Sequence, residues 1–213
     1  MAFNVHVARQ VAGLTLRQVR YWDQKGLVKP SVQAATGRGS RRLYSFEDLV
    51  ELRIVARLRS SGISLQKIAR VIGYVRTNLA VREKGLRAIR LLTDGGTVFV
   101  RSDDRERWAD ALRGGQVVWL VPVDEAWREA RALVAEMSAP RHESLTLSGR
   151  AFDVSFERDL EVGGWVVECP ALPGCVSEGS SVPEARRMIR DAIKGWLAVE
   201  SDRGKPSRHR RSG

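Results

Sequence analysis

The chain has 213 residues, 43% of them hydrophobic, and a formal net charge of +11, so it holds enough apolar material for a core in one domain or two small ones. No apolar run approaches the roughly 18 residues of a membrane span, and the opening MAFNVHVARQ lacks the basic-then-apolar plan of a secretory leader. Cys169 and Cys175 are the only cysteines, too few for a disulfide scaffold or a thiolate zinc site, and they are expected to be reduced thiols of a cytoplasmic protein.

The charge is unevenly placed. Residues 1–92 hold 18 Lys/Arg against 5 Asp/Glu, residues 93–145 and 146–203 each hold 7 against 10, and the last ten hold 4 against none. A basic block of that size is the electrostatic footprint of a polyanion binder. The acidic segments suit either a basic partner or a merely soluble surface.

In chain order, Asn4 is the expected N-cap of a first helix ending at Ala12, with Val5, Ala8 and Val11 on one face, and Gly13 breaks it. Thr15 caps a second helix to about Gln24, with Gly26 just past its end. Two short helices joined by a glycine turn make a helix-turn-helix candidate. Leu16 and Val19 face inward, leaving Arg17, Gln18, Arg20 and Tyr21 to address a DNA groove and its phosphates. The arginine fork pairs with guanine edges or phosphate oxygens alike. Pro30 stops helix continuation, and ATGRGSRRLYSFEDL follows. Its glycines allow a sharp turn before a short strand at Arg41–Tyr44, giving a wing that carries Arg38, Arg41 and Arg42. Ser45 with Asp48 forms a capping box for a helix with Leu49, Leu52, Val55 and Leu58 inward, and Ser64 caps another with Leu65, Ile68, Ala69 and Ile72 inward.

The run LTLRQVRYWDQKGLVKP…GSRRLYSFEDLVELRIVARLRSSGISLQKIARVI resembles the winged helix-turn-helix domain of MerR-type transcription regulators over about residues 3–73. The resemblance implies DNA contacts from Arg17, Arg20 and Tyr21 on the recognition helix and from Arg42 and Tyr44 in the wing. It also implies dimerisation through a following helix, but Val75–Leu92, helical in composition, is short, poor in heptads and interrupted by Gly85. Metal-sensing members carry cysteines at that helix, and this chain has none there, so no metal site or cofactor is expected.

In the middle segment a strand is expected at Thr97–Arg101, a helix at Asp104–Leu112, a buried strand at Gln116–Val121 and an amphipathic helix at Asp124–Met137. Asp103 and Asp104 read as carboxylates at a helix N-terminus rather than a cation site. Residues 139–149, polar and containing Pro140, read as a linker.

Beyond it, Phe152, Val154 and Phe156 alternate along a strand, Trp165–Cys169 forms a second and Val176–Glu178 a third. A helix opened by Ser181 and Glu184 then carries an apolar stripe from Val182 to Leu197. Asp153, Glu157, Asp159 and Glu161 lie on one strand and its turn, which fits a solvated edge better than a two-metal hydrolase. The turn PALPGC and the later Glu184-Ala185 resemble the HicB-type antitoxin fold, a partial ribonuclease-H-like unit, over about residues 150–200. That resemblance implies binding of a basic HicA-like toxin, with Pro170, Leu172, Pro173 and Gly174 as partner-binding residues.

The expected protein is therefore α+β: a winged helix-turn-helix with its following helix (1–92), a small α/β connector or dimerisation unit (93–138), a linker (139–149), a three-stranded antiparallel sheet with a covering helix (150–203) and a basic tail (204–213). It is expected to be a homodimer or higher oligomer that binds its own operator as double-stranded DNA and a toxin, with no membrane association and no catalytic residues. The alternative is a one-component regulator whose C-terminal half senses a small molecule, with Trp119, Trp127, Trp165 and Trp196 gathered at a pocket.

Overall fold

Asn4 starts helix α1 (Val5–Ala12) as expected, its Oδ1 accepting from the N–H groups of His6 and Val7 at 2.9 and 3.1 Å. Gly13 ends it at φ 68°, a left-handed conformation that glycine adopts without a Cβ penalty. Thr15 and Gln18 then close a reciprocal capping box that opens α2 (Leu16–Gln24). Val7, Ala8, Val11 and Ala12 with Val19 and Trp22 are buried in a core shared with α3 (Phe46–Ser60), opened by the Ser45–Asp48 box, and α4 (Leu65–Asn78); α1 packs on α2 and α3, and α3 on α4. The computed structural model describes residues 1–37, 40–78, 89–93, 98–102, 119–121 and 123–203. These fall into two compact units, Met1–Glu136 and Met137–Gly213.

The first unit contains a pairing the sequence did not suggest. Strand β1 (Phe3–Asn4) runs antiparallel to β2 (Leu43–Tyr44), tying the N-terminus to the wing base, and Gln33 bridges to Leu43. The expected wing strand is thus shorter, Leu43–Tyr44. Residues 89–92, expected to be helical, belong to strand β3 (Ile89–Thr93). It lies centrally between β4 (Val98–Ser102) and β5 (Trp119–Val121), so its backbone groups are bonded on both sides, a tertiary gain that overrides helical composition. The helix expected at Asp104–Leu112, Arg38 and the tail lie outside the described residues. Helix α5 (Val123–Ser138) brings Trp127 edge-on to Phe46, with ring centroids 4.8 Å apart. Glu129 on α5 accepts from Arg53 Nε at 2.8 Å and Arg57 at 2.7 Å on α3.

The second unit holds four strands, not three. Residues 141–147, expected to be linker, form β6 (Arg141–Leu147), paired along its length with β7 (Arg150–Arg158). Leu145 and Leu147 are buried while His142, Ser144 and Thr146 face outward, so the polar residues that suggested a linker are the solvent row of a half-buried strand. β8 (Trp165–Glu168) and β9 (Val176–Gly179) complete the antiparallel order β6-β7-β8-β9. Helix α6 (Val182–Arg203) covers one face, where Ala185, Ile189 and Ile193 meet Phe152, Val154, Phe156 and Val167. A Cβ on Gly179 would stand 2.4 Å from the Ala185 nitrogen, so the close passage of β9 under α6 requires glycine there. Among the described residues no helix is long and apolar enough to cross a membrane.

Candidate nucleic-acid interface

With Val19 and Trp22 anchored in the core, the opposite side of α2 presents Arg17, Gln18, Arg20, Tyr21 and Lys25, all exposed. Lys25 Nζ sits 5.7 Å from the Tyr21 ring centroid, a cation–π distance. Arg17 and Arg20 have no ion-pair partner among the described residues, and neither does exposed Arg41. Gln18 is less free than the sequence implied: its Oε1 accepts from Thr15 N–H at 2.9 Å and from Thr15 Oγ1 at 2.8 Å. Only its amide NH2 remains available to a ligand.

The wing is held from inside. Asp48 is buried, and its Oδ2 accepts from Ser31 N–H and Oγ at 2.8 and 2.7 Å and from Ser45 N–H at 2.9 Å. One carboxylate thus fastens both ends of the segment 31–45. At the tip Ser40 Oγ accepts from Thr36 and Gly37 N–H and donates to Gly37 O at 2.7 Å.

Two expected contacts are placed differently. Arg42 Nε donates to Asp23 Oδ2 at 2.7 Å, with both side chains mostly covered, so this arginine braces the wing against α2 instead of reaching outward. Tyr44 is fully buried, and its hydroxyl finds no hydrogen-bond partner among the described residues. Burial first, then the nearby Asp23 charge, pushes its pKa up to about 12, so it stays a neutral phenol inside the domain. Asp23 was not foreseen as a structural residue. It is the one acidic residue in the first 46 positions, and a lone acid in a basic stretch is a usable sign of an internal partner.

In the second unit Pro170, Pro173 and Gly174 are exposed, whereas Leu172 is buried and serves the core. The turn carrying them is fixed by Cys169 N–H to Cys175 O at 3.0 Å and Leu172 N–H to Cys169 O at 2.9 Å. Both cysteines are free thiols and buried; burial, then the nearby Cys169, raises the Cys175 thiol pKa. Trp165 and Trp196 pack against this unit's core, while Trp127 packs on Phe46 in the first unit. Among the described residues no group of three His, Cys, Asp or Glu is placed to hold a metal ion.

Residues 3–74 match the family of MerR HTH regulatory proteins. An "Uncharacterized HTH-type transcriptional regulator" of Mycobacterium tuberculosis is 41% identical over 134 residues, 63% of this chain and 58% of that protein. The HTH-type transcriptional regulator HmrR of Sinorhizobium medicae is 33% identical over 34% of this chain and 48% of its own length. A probable heavy metal-dependent transcriptional regulator of Haemophilus influenzae is 33% identical over 32% of this chain and 52% of its own length. The chain thus spans between about half and three-fifths of the length of these relatives. A solved MerR-family transcriptional regulator from Bacillus cereus is 28% identical over 41% of this chain and 69% of that chain, with a TM-score of 0.30.

Proposed function

We propose that the protein is a transcription regulator that binds double-stranded DNA through α2 and the wing, a reading supported by the match of residues 3–74 to the family of MerR HTH regulatory proteins. The observation that carries this is the row of outward, unpaired arginines on α2, Arg17 and Arg20, standing over the anchored Val19 and Trp22. An arginine without an internal partner is free to pair bidentately with a guanine edge or a phosphate. Arg41 supplies a flanking phosphate contact from the wing, and the Arg42–Asp23 bridge sets the wing's angle to α2. The protein works as a dimer on paired half-sites, in the cytoplasm, and by binding without chemistry. The heavy-metal dependence named for the Haemophilus influenzae relative is not carried over, since both cysteines here are buried in the other unit.

The test is a mobility shift of the full chain on DNA from upstream of its own gene, against random duplex of equal length. Binding to the upstream fragment at least about 100-fold tighter than to the random one supports a regulator. Binding to neither below about 10⁻⁴ M at low salt overturns it.

A second reading concerns the C-terminal unit. The strand–strand–strand–helix order of β7, β8, β9 and α6, with the Pro170–Cys175 turn between β8 and β9, supports a HicB-like domain that holds a basic HicA-like toxin, with exposed Pro170, Pro173 and Gly174 at the contact. A short basic reading frame beside the gene, whose product co-purifies with the full chain, is the expected finding. Free passage of that product through a column of the immobilised chain refutes it.

A further inference from the structure

The face of the C-terminal sheet opposite α6 is sorted by charge. Strand alternation places His142, Ser144 and Thr146 on that face, with Asp153, Ser155 and Glu157 of β7, Val166 and Glu168 of β8, and Val176 and Glu178 of β9. It therefore carries four carboxylates and no Lys or Arg. None of the carboxylates of Asp153, Glu157, Glu168 and Glu178 has an ion-pair or hydrogen-bond partner among the described residues. Neighbouring carboxylates on such a lattice stand about 8 Å apart and repel one another. Val166 and Val176 between them are 39% and 53% exposed.

This face ends at an open strand. β9 is the last strand of its sheet. The Cys169 N–H to Cys175 O bond, 3.0 Å, makes those residues a hydrogen-bonded pair in the β8–β9 register. Antiparallel pairs alternate, so Val167 and Ser177 are bonded across the strands, and the backbone groups of Val176 and Glu178 point away to the free edge. Val176 N–H turns back to Gly174 O at 3.1 Å, which leaves Val176 C=O and both groups of Glu178 for an added strand. On the other side of the same edge lies a cleft of about 510 Å³, lined chiefly by Cys175, Ala192, Trp196 and Val199, with Val176 at its edge and Glu200 also in its lining. Val199 is 55% exposed.

A strand laid on β9 would send alternate side chains to these two surfaces, one set over the acidic face and the other into the cleft. Nucleic acid is the wrong occupant, because its phosphates would meet four carboxylates. We propose that the β9 edge is a docking surface for an extended segment of a partner protein in which cationic side chains alternate with apolar ones. Main-chain bonds to Val176 and Glu178 give affinity, and the alternation gives specificity. This goes beyond the DNA-binding reading and stands without it.

The probe is a fluorescein-labelled octapeptide alternating Lys and Val, titrated with the full chain and followed by anisotropy. A peptide of four Lys followed by four Val has the same composition and charge. The alternating peptide is expected to bind at least about tenfold tighter than the block peptide, because only it can satisfy both surfaces at once. Glu168→Lys with Glu178→Lys weakens it by about tenfold or more, while the charge-matched Glu161→Lys with Asp191→Lys, off this face, changes it less than about twofold. Equal binding of the two peptides, or equal loss in the two double variants, overturns the proposal and leaves only diffuse charge attraction. Thermal melts of both double variants identify any loss caused by unfolding.

Discussion

The two units differ in which charges they leave unpaired. In the first, Arg42, Arg53 and Arg57 are bonded to Asp23 and Glu129, while Arg17, Arg20 and Arg41 are exposed and have no ion pair among the described residues. In the second, Arg186 is bonded to Glu143 at 2.6 Å, and on the sheet face opposite α6 the charged groups, all carboxylates, are without ion pairs among the described residues, while Arg150 and Arg190 stand exposed elsewhere on the unit. Net charge alone marks the first unit as basic and the second as mildly acidic. Pairing tells more: it separates the charges that hold the fold from those left exposed, and on the two surfaces proposed for ligands, α2 with the wing and the face beside β9, the exposed charges are of opposite sign.

The comparison can be pressed at four places, from the largest expected effect to the smallest. Gly179→Val drives a side chain into the Ala185 backbone, which cannot yield as a flexible side chain would. Chemical denaturation should show the second unit losing about 3 kcal/mol or more, and DNA binding by the first unit should persist. Arg42→Ala leaves the largely covered Asp23 carboxylate without its partner. A stability loss of about 1–2 kcal/mol is expected, with weaker DNA binding as the wing loosens; Arg41→Ala should weaken binding without moving the melting temperature. Tyr44→Phe removes a hydroxyl that is buried and unpartnered. It should change stability by less than about 1 kcal/mol, in the stabilising direction, and leave DNA affinity unaltered; a large loss of affinity would restore Tyr44 to the interface.

The smallest effect is a pH dependence. The hydrogen bond from Arg186 holds the Glu143 carboxyl below its ordinary value of 4.5. A depressed carboxyl stabilises the fold fully above its unfolded value, and that contribution is lost as pH falls through the lower folded value. Both side chains are about one-third exposed, so screening keeps the contribution under about 1 kcal/mol. Comparing acid melts of the wild type and Glu143→Gln should show the difference closing below pH 4.5.

Local signals were readable where they were chemically explicit. Asn4, Thr15 and Ser45 cap the helices they were expected to cap, because a side-chain oxygen before an apolar-periodic run has one favourable use. Long-range pairings were not readable. β1 with β2 joins residues some forty positions apart, and nothing in Phe3–Asn4 announces it. β6 was hidden by its own solvent row, and Ile89–Thr93 by helix-forming composition that two flanking strands override. On α2, sequence spacing separated the exposed face from the buried one. It could not show that Arg42 and Tyr44 turn inward, since that depends on Asp23 and on the packing around the wing base.

The most direct test of the central claim compares two neutralisations of equal charge. Arg17→Ala with Arg20→Ala removes two unpaired arginines, and Arg53→Ala with Arg57→Ala removes two that are bonded to Glu129. Duplex affinity would be measured for each across a salt series. The account predicts that the first pair lowers affinity by about tenfold or more and flattens the salt slope by about 2, since two phosphate or base contacts are gone. The second pair should lower the melting temperature and leave the slope unchanged. Equal slopes and equal affinities for the two variants would contradict the claim that pairing marks the interface.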